Sequence, residues 1–504
     1  MKRRTLLLSM IALLLFSSSA WAAEKESTSR IRSYDSGSLI QSDGSLWLWG
    51  YNQSVPTRVE GKANVVKTFS NIFNEGDLVF TLQDQSAWYV PRNNIAESVK
   101  FIPLEKVQNL AAVSGLNDHV LALSTEGNVY SADWHNNGDI LDPFQTVAGI
   151  DEVANIDSYY EERPEYEEGW IFLKKDGSVW KNTKGLQGIK PISSLQDITA
   201  IAKNIALKKD GTVWTWPKEF DTNAALSDTA TASQIQSLTG IQTIKSNGRT
   251  NLAIDRQGRL WFWGATVTGY SDSTAYHNEN NPVLLTGVRN VKDAFIVERS
   301  ILALTTEGNV YGASLEGEKL SSNAHFTLLA QNIQSIKAGP RHVIMQKTDG
   351  SLWGWGVNKH AQLGIGDYEF LYSTPVPVQK PILVRLNGTP VPLSNGVITR
   401  NGQAFIPLRS VFDKLGAEVS FDSNNKVAKI IQSRAGATPV SLQLNLKTSQ
   451  TTVNGKPVEL TNPPFTVNGI AYLPLRLISE TLGAKVDWIQ KEDTITITAT
   501  TTTK

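Results

Sequence analysis

The sequence has no cysteine among its 504 residues. Disulfides, a thiol nucleophile and a lipid anchor on cysteine are therefore excluded, and packing must supply the stability. Histidine is scarce as well: His119, His135, His277, His325, His342 and His360 form no closely spaced ligand pair, and none follows Gln379. No metal site is expected. Net charge is absent, with 48 Lys and Arg against 48 Asp and Glu. That balance excludes a nucleic-acid binder working through a broad basic footprint. After Phe16 no apolar run approaches the ~20 residues that a spanning helix needs. Gly-x-Ser-x-Gly, a phosphate loop and His-Glu-x-x-His are all missing, so no catalytic constellation is legible and no cofactor is expected.

At the N-terminus, Met1-Lys2-Arg3-Arg4, an apolar run from Thr5 to Phe16 and the small residues before Ala22 read as a secretory signal peptide cleaved after Ala22. Residues 23–30 then form a linker, and the mature chain is expected to be secreted or associated with the cell envelope, without a transmembrane segment.

The remaining sequence is organised by one nonamer, Thr348-Asp349-Gly350-Ser351-Leu352-Trp353-Gly354-Trp355-Gly356. Asp-Gly between apolar runs predicts a hairpin with a type I′ turn, in which both turn residues have positive φ. The motif recurs with anchor aromatics Trp47, Trp88, Tyr130, Trp180, Trp214, Trp261, Tyr311 and Trp353, at steps of 41, 42, 50, 34, 47, 50 and 42 residues. That is the spacing of β-propeller blades, and a unit apolar on both faces cannot be buried alone. Each buried Trp would remove ~150 to 250 Å² from water, roughly 4 to 6 kcal/mol gross. Trp at the motif positions is thus expected to hold the ring.

Unit eight continues as Trp355-Gly356-Val357-Asn358-Lys359-His360-Ala361-Gln362-Leu363-Gly364. This string resembles the repeat of the regulator of chromosome condensation family, over about residues 31–378. The resemblance implies a closed propeller of four-stranded blades. Eight units are present where the family commonly closes with seven, so one copy can be shared between first and last blades, with Thr374-Pro375-Val376-Pro377-Val378 as the strand pairing back to unit one.

Beyond Pro381 the pattern changes. Asn387-Gly388, Asn401-Gly402, Asn454-Gly455 and Asn468-Gly469 mark a duplication with a 67-residue period. Each copy, about 382–431 and 449–498, reads hairpin, short helix, strand, with Pro407 opening the first helix and Gly416 placed to end it in the left-handed region. The region 379–498 resembles the domain named after the N-terminal region of copper amine oxidases, a stalk module of exported bacterial proteins. Copper chemistry does not follow, because no histidine is available to hold the metal. Residues 499–504 are a polar tail.

The fold class expected is mainly β: a seven- or eight-bladed β-propeller followed by a small C-terminal α+β domain built from a duplicated hairpin-helix-strand unit. Function on such a ring belongs to its loops. The longest departure from the repeat, residues 157–170, carries Tyr159, Tyr160, Tyr166 and Trp170 among carboxylates; it offers a protein-binding tip, a Ca²⁺ site or merely a solvated acidic loop. Trp134, Tyr270, Tyr276 and Tyr368 are further loop aromatics. Arg409 and Arg476, matched on the two helices, suit an anionic wall polymer or a local surface role. His119 and His342 occupy the same place in their units, which assigns them to structure. The function expected is a non-catalytic binding or scaffold protein, monomeric, contacting a protein or cell-wall glycan and no nucleic acid, with the C-terminal module as envelope spacer or attachment. Secreted relatives of the repeat include an inhibitor of β-lactamase, so enzyme inhibition is one variant. A polysaccharide-active propeller enzyme is the other alternative.

Overall fold

The computed structural model describes residues 30–499, apart from 71, 73–75, 92–98, 136–139, 162–166, 187, 218–230 and 434–437. The segment expected to be a signal peptide and most of the expected linker and polar tail lie outside them. Among the described residues, 31–377 form eight consecutive antiparallel sheets, each with the order first-second-third-fourth strand of its own repeat, and one carrying an additional short strand. The sheets are blades 1 to 8. Each of the eight junctions between neighbours, including that between blades 8 and 1, holds its own apolar cluster. The ring is therefore closed, with eight blades and no copy shared. The expected return of the last strand is corrected: Leu371–Pro377 pairs with Leu352–Val357 of its own blade. Closure rests instead on loop backbone and side chains: the Gly366 N–H donates to the Ser54 carbonyl at 2.9 Å. Trp49 donates its indole N–H to the Gln362 carbonyl at 2.8 Å, and the Tyr34 hydroxyl meets that of Ser335 at 2.7 Å.

The repeated motif accounts for both the turn and the joint between blades. In blade 1 the Gly44 N–H donates to the Gln41 carbonyl and the Gln41 N–H to Ser45, so Ser42 and Asp43 are the central turn residues. Only the glycine has positive φ, 78°. The type I′ expectation is thus corrected to a turn closed by a left-handed glycine. Asp43 is kept out of the left-handed region because its carboxylate has other work: Oδ1 accepts both the Ser45 N–H and the Ser45 hydroxyl, and that hydroxyl accepts the Trp47 indole N–H at 3.1 Å. Asp84-Ser86-Trp88, Asp176-Ser178-Trp180, Asp210-Thr212-Trp214 and Asp349-Ser351-Trp353 repeat the chain. The hydroxyl hydrogen bond holds the Asp84, Asp176, Asp210 and Asp349 carboxyls below the usual range. The turn glycine's carbonyl accepts the first strand N–H of the next blade, as Gly44 does from Val65 and Gly211 from Ile241. A Cβ on Gly211 would stand 3.0 Å from Gly240 Cα.

The anchor aromatics contribute less burial than expected. Trp47 is buried, but Trp88, Tyr130, Trp180, Trp214, Trp261, Tyr311 and Trp353 are only half-buried. The residue before each, from Leu46 through Val179 and Val213 to Leu352, points the other way into the inter-blade core. A strand packed between two unequal faces buries its aliphatic side fully. The indole is placed by its hydrogen bond and, in several blades, by a cation: Lys347 Nζ lies 3.5 Å above the Trp353 ring.

The C-terminal module is two interlocked halves. The last strand, Thr494–Ala499, pairs in parallel with Leu383–Leu386 of the first copy. The hairpins of both copies meet through Gln403–Pro407 and Ile470–Pro474, and Val440–Asn445 joins Val427–Gln432 to Thr451–Val453. All four Asn-Gly turns have positive φ at both residues. The first helix, Leu408–Phe412, continues as a 3₁₀ turn to Gly416 at φ 78°, and Pro407 precedes rather than opens it. The second helix is Leu475–Thr481.

Candidate binding face and domain seam

An antiparallel up-and-down blade puts its first-to-second and third-to-fourth connections at one end, opposite the Asp-Gly turns. Tyr160, Tyr270, Tyr276 and Tyr368 all reach that end. Within residues 157–170 the strands Val153–Glu161 and Glu167–Lys174 pair almost to the tip, so most of the expected loop is β-ribbon. Alternation along the strand then separates neighbours: Tyr160 is exposed and Tyr159 is buried. The Tyr159 hydroxyl accepts the Trp216 indole N–H at 2.9 Å, inside the core of blades 4 and 5. Trp170 is fully buried and Trp134 is also core. Tyr159, Trp170 and Trp134 are therefore packing residues and not contact residues; Tyr166 falls outside the described residues. Two carboxylates of this ribbon, Asp157 and Glu168, are engaged too. Asp157 pairs with Lys203 at 2.8 Å, and Glu168 holds His119 at 2.9 Å and the Trp170 indole. The Glu168 hydrogen bond raises the His119 pKa. Like His119, His342 reaches the next blade, at the Ser36 carbonyl. Among the described residues no acidic or histidine cluster could hold a metal ion.

Among the described residues of this face, blade 6 carries a long hairpin. Its last hairpin, Leu260–Thr268 with Ala275–Leu285, projects beyond the ring and carries two tyrosines on cationic seats. Tyr270 stacks 4.4 Å from the Arg299 guanidinium and donates to Glu316 at 2.9 Å, which raises its pKa. Tyr276, 53 % exposed, stacks 4.1 Å from Arg249. Between this hairpin and blade 5 runs a cleft of about 640 Å³ floored by Trp263. Sequence reading found Tyr270 and Tyr276 and missed Arg249, Asn204 and Asn251, since isolated polar residues carry no periodic signal.

A second region was invisible in the sequence. The C-terminal module docks on the outer strand of blade 1. Asn395, with no exposure, accepts the Ser54 N–H at 3.0 Å and donates to the Ser54 hydroxyl at 3.0 Å. Gly396 donates to Thr57, and Val55 joins Ile398, Phe405, Val467 and Tyr472 in one apolar cluster. Arg30 reaches the Glu492 carbonyl from the start of blade 1. The module thus grips the ring beside its closing junction. Arg409 and Arg476 are exposed on separate copies; Arg476 lines a cleft with Gln403 and Trp488.

Residues 385–497 match the copper amine oxidase N-terminal domain family. The ring's repeat matches the mitochondrial RCC1 domain-containing protein RUG3 of Arabidopsis thaliana at 29 % identity over 161 residues, 29 % of this chain and 36 % of that protein. The ring is an RCC1-like β-propeller. The ultraviolet-B receptor UVR8 of the same plant matches at 29 % over 118 residues, 21 % of this chain and 27 % of that one. The chain spans about a third of the length of these curated relatives. Among solved structures, Prp20p of Saccharomyces cerevisiae, described with its binding to Gsp1p and histones, gives a TM-score of 0.42 at 14 % identity, covering 70 % of this chain and 91 % of that one. Human WBSCR16 gives 0.39 at 18 %, covering 65 % and 86 %. Among the described residues of the RCC1-like propeller and its module, no helix is long and apolar enough to cross a membrane.

Proposed function

We propose that this chain is an exported, non-catalytic binding protein that works at the cell envelope, with the loop face of the propeller contacting a protein or glycan and the C-terminal module providing attachment. The observation that carries the reading is the pair of solvent-facing tyrosines, Tyr270 and Tyr276, each seated on an arginine instead of being spent on packing. Rigid, amphipathic aromatics lose little entropy on contact and dominate binding interfaces. The buried seam fixes the module's orientation on the ring, so attachment through the module would also aim the loop face. Signal-peptide character and zero net charge support export and oppose a chromatin role.

The test immobilises the mature chain, residues 23–504, and presents solubilised envelope and secreted fractions. Saturable capture that falls at least tenfold in the Tyr270→Ala/Tyr276→Ala double variant is the expected result. Capture indifferent to both changes would remove the loop face from the proposal, and retention of the tagged full chain inside the cell would remove export.

A further inference from the structure

The cleft between blades 5 and 6 has unspent hydrogen-bonding capacity of a particular kind. The Arg249 guanidinium sits 4.1 Å from the centre of the Tyr276 ring and pairs with no carboxylate among the described residues. The Asn251 carboxamide oxygen takes the Ser246 hydroxyl proton at 2.7 Å, which orients the amide while its Nδ2 protons find no described acceptor. Asn204 is held the other way: Nδ2 donates to the Trp216 carbonyl and to Thr215, and its Oδ1 receives no described donor. Fixed planar donors and acceptors side by side suit vicinal hydroxyls, each of which donates and accepts. The half-exposed Tyr276 ring adds an apolar platform for a C–H face. Glu279, on the same wall, accepts the Asn281 N–H at 3.3 Å and retains capacity for a hydroxyl.

We infer that this cleft binds a saccharide chain bearing a carboxylate, with the carboxylate at Arg249, the sugar face against Tyr276 and ring hydroxyls between Asn204 and Asn251. A bidentate guanidinium–carboxylate pair supplies the charge selectivity. An extended peptide fits less well, because strand addition needs an unpaired edge and the floor strand Leu260–Thr268 is paired on both sides. The assignment rests on the reading of the loop face as the binding face and narrows it to one ligand chemistry.

Calorimetric titration of the mature chain with a uronic-acid hexasaccharide, a neutral hexasaccharide and hexaglutamate tests it. The uronate should bind at least tenfold more tightly than the neutral sugar. Arg249→Gln should bring the two within about twofold of each other, and Tyr276→Ala should weaken both at least tenfold, with circular dichroism and thermal midpoint unchanged in each variant. Uronate affinity untouched by Arg249→Gln, hexaglutamate binding as tightly as the uronate, or no saccharide binding at millimolar ligand would each overturn the assignment. If envelope capture persists while no saccharide binds, the saccharide assignment fails and the broader binding role stands.

Discussion

Replacing Asn395 with leucine tests whether the ring and the C-terminal module form one cooperative body. The side chain is wholly buried between them and satisfies the Ser54 N–H and hydroxyl, both at 3.0 Å. Leucine matches the volume and makes neither bond. The Gly396 N–H keeps Thr57 at 2.8 Å and the Ser54 hydroxyl keeps its hydrogen bond with Tyr472, so one polar group on blade 1, the Ser54 N–H, is orphaned. At about 1 to 3 kcal/mol for a buried group left unsatisfied, the cost is of that size. If the seam couples the parts, that cost appears in a single calorimetric transition that moves down by several degrees. Limited proteolysis should then open the chain near residues 379–381. Arg409→Ala, on the exposed face of the first helix, serves as control and should leave the midpoint in place. Two independent transitions in the parent protein, or an unmoved propeller transition in Asn395→Leu, would refute the coupling.

Other consequences follow from the turn chemistry. The Asp-Ser-Trp chains hold their carboxyls low, so their stabilisation is complete above the ordinary carboxylate range and is lost as pH falls through the depressed folded values. Asp349→Asn should accordingly narrow the difference in urea midpoint between pH 6 and pH 3. In the copy that lacks glycine, Gln85 sits at φ 71°; Gln85→Gly should stabilise by about 0.5 to 1 kcal/mol in urea denaturation, since a left-handed non-glycine residue costs ~1 to 2 kcal/mol before glycine's own entropy is subtracted. Gly211→Ala should destabilise by more than about 1 kcal/mol, because φ is 88° and the new Cβ meets the neighbouring blade's backbone. His119, raised by Glu168, contributes stability that is present below pH 6.5 and is lost as pH rises through its higher folded value. Its NMR titration should shift down towards 6.5 in Glu168→Gln.

Much of the architecture was legible because it is written in short range. Asp176-Gly177-Ser178-Val179-Trp180 contains its own turn, its own hydrogen-bond chain and its own inward and outward faces, so each copy announces a strand pair wherever it occurs. The misreadings are instructive in the same terms. Asp-Gly was assigned the turn that Asn-Gly adopts. The four Asn-Gly pairs do take positive φ at both residues, whereas Asp43 stays right-handed to bridge Ser45. Residues 157–161 and 167–170 looked like a loop because their charge hid the two-residue alternation that buries Tyr159 and Trp170.

The candidate site was less legible. Tyr276 stood out as an aromatic beyond the repeat, yet Arg249 and Asn251 lie in another hairpin and gain meaning only when blade 6 folds them alongside it. The seam gave still less signal, since Asn395 is one of several asparagines near turns and Ser54 is one of many serines.

By itself the sequence determined the repeated blade, the change of pattern near Pro381 and the duplication that follows, since hydrogen bonds within a few residues and strand alternation specify those locally. Only the tertiary structure decided that eight blades close without exchanging a strand, that the two module copies interlock, and that the module grips blade 1. Those outcomes depend on which distant faces bury one another, and burial is a property of the assembled chain rather than of any stretch along it.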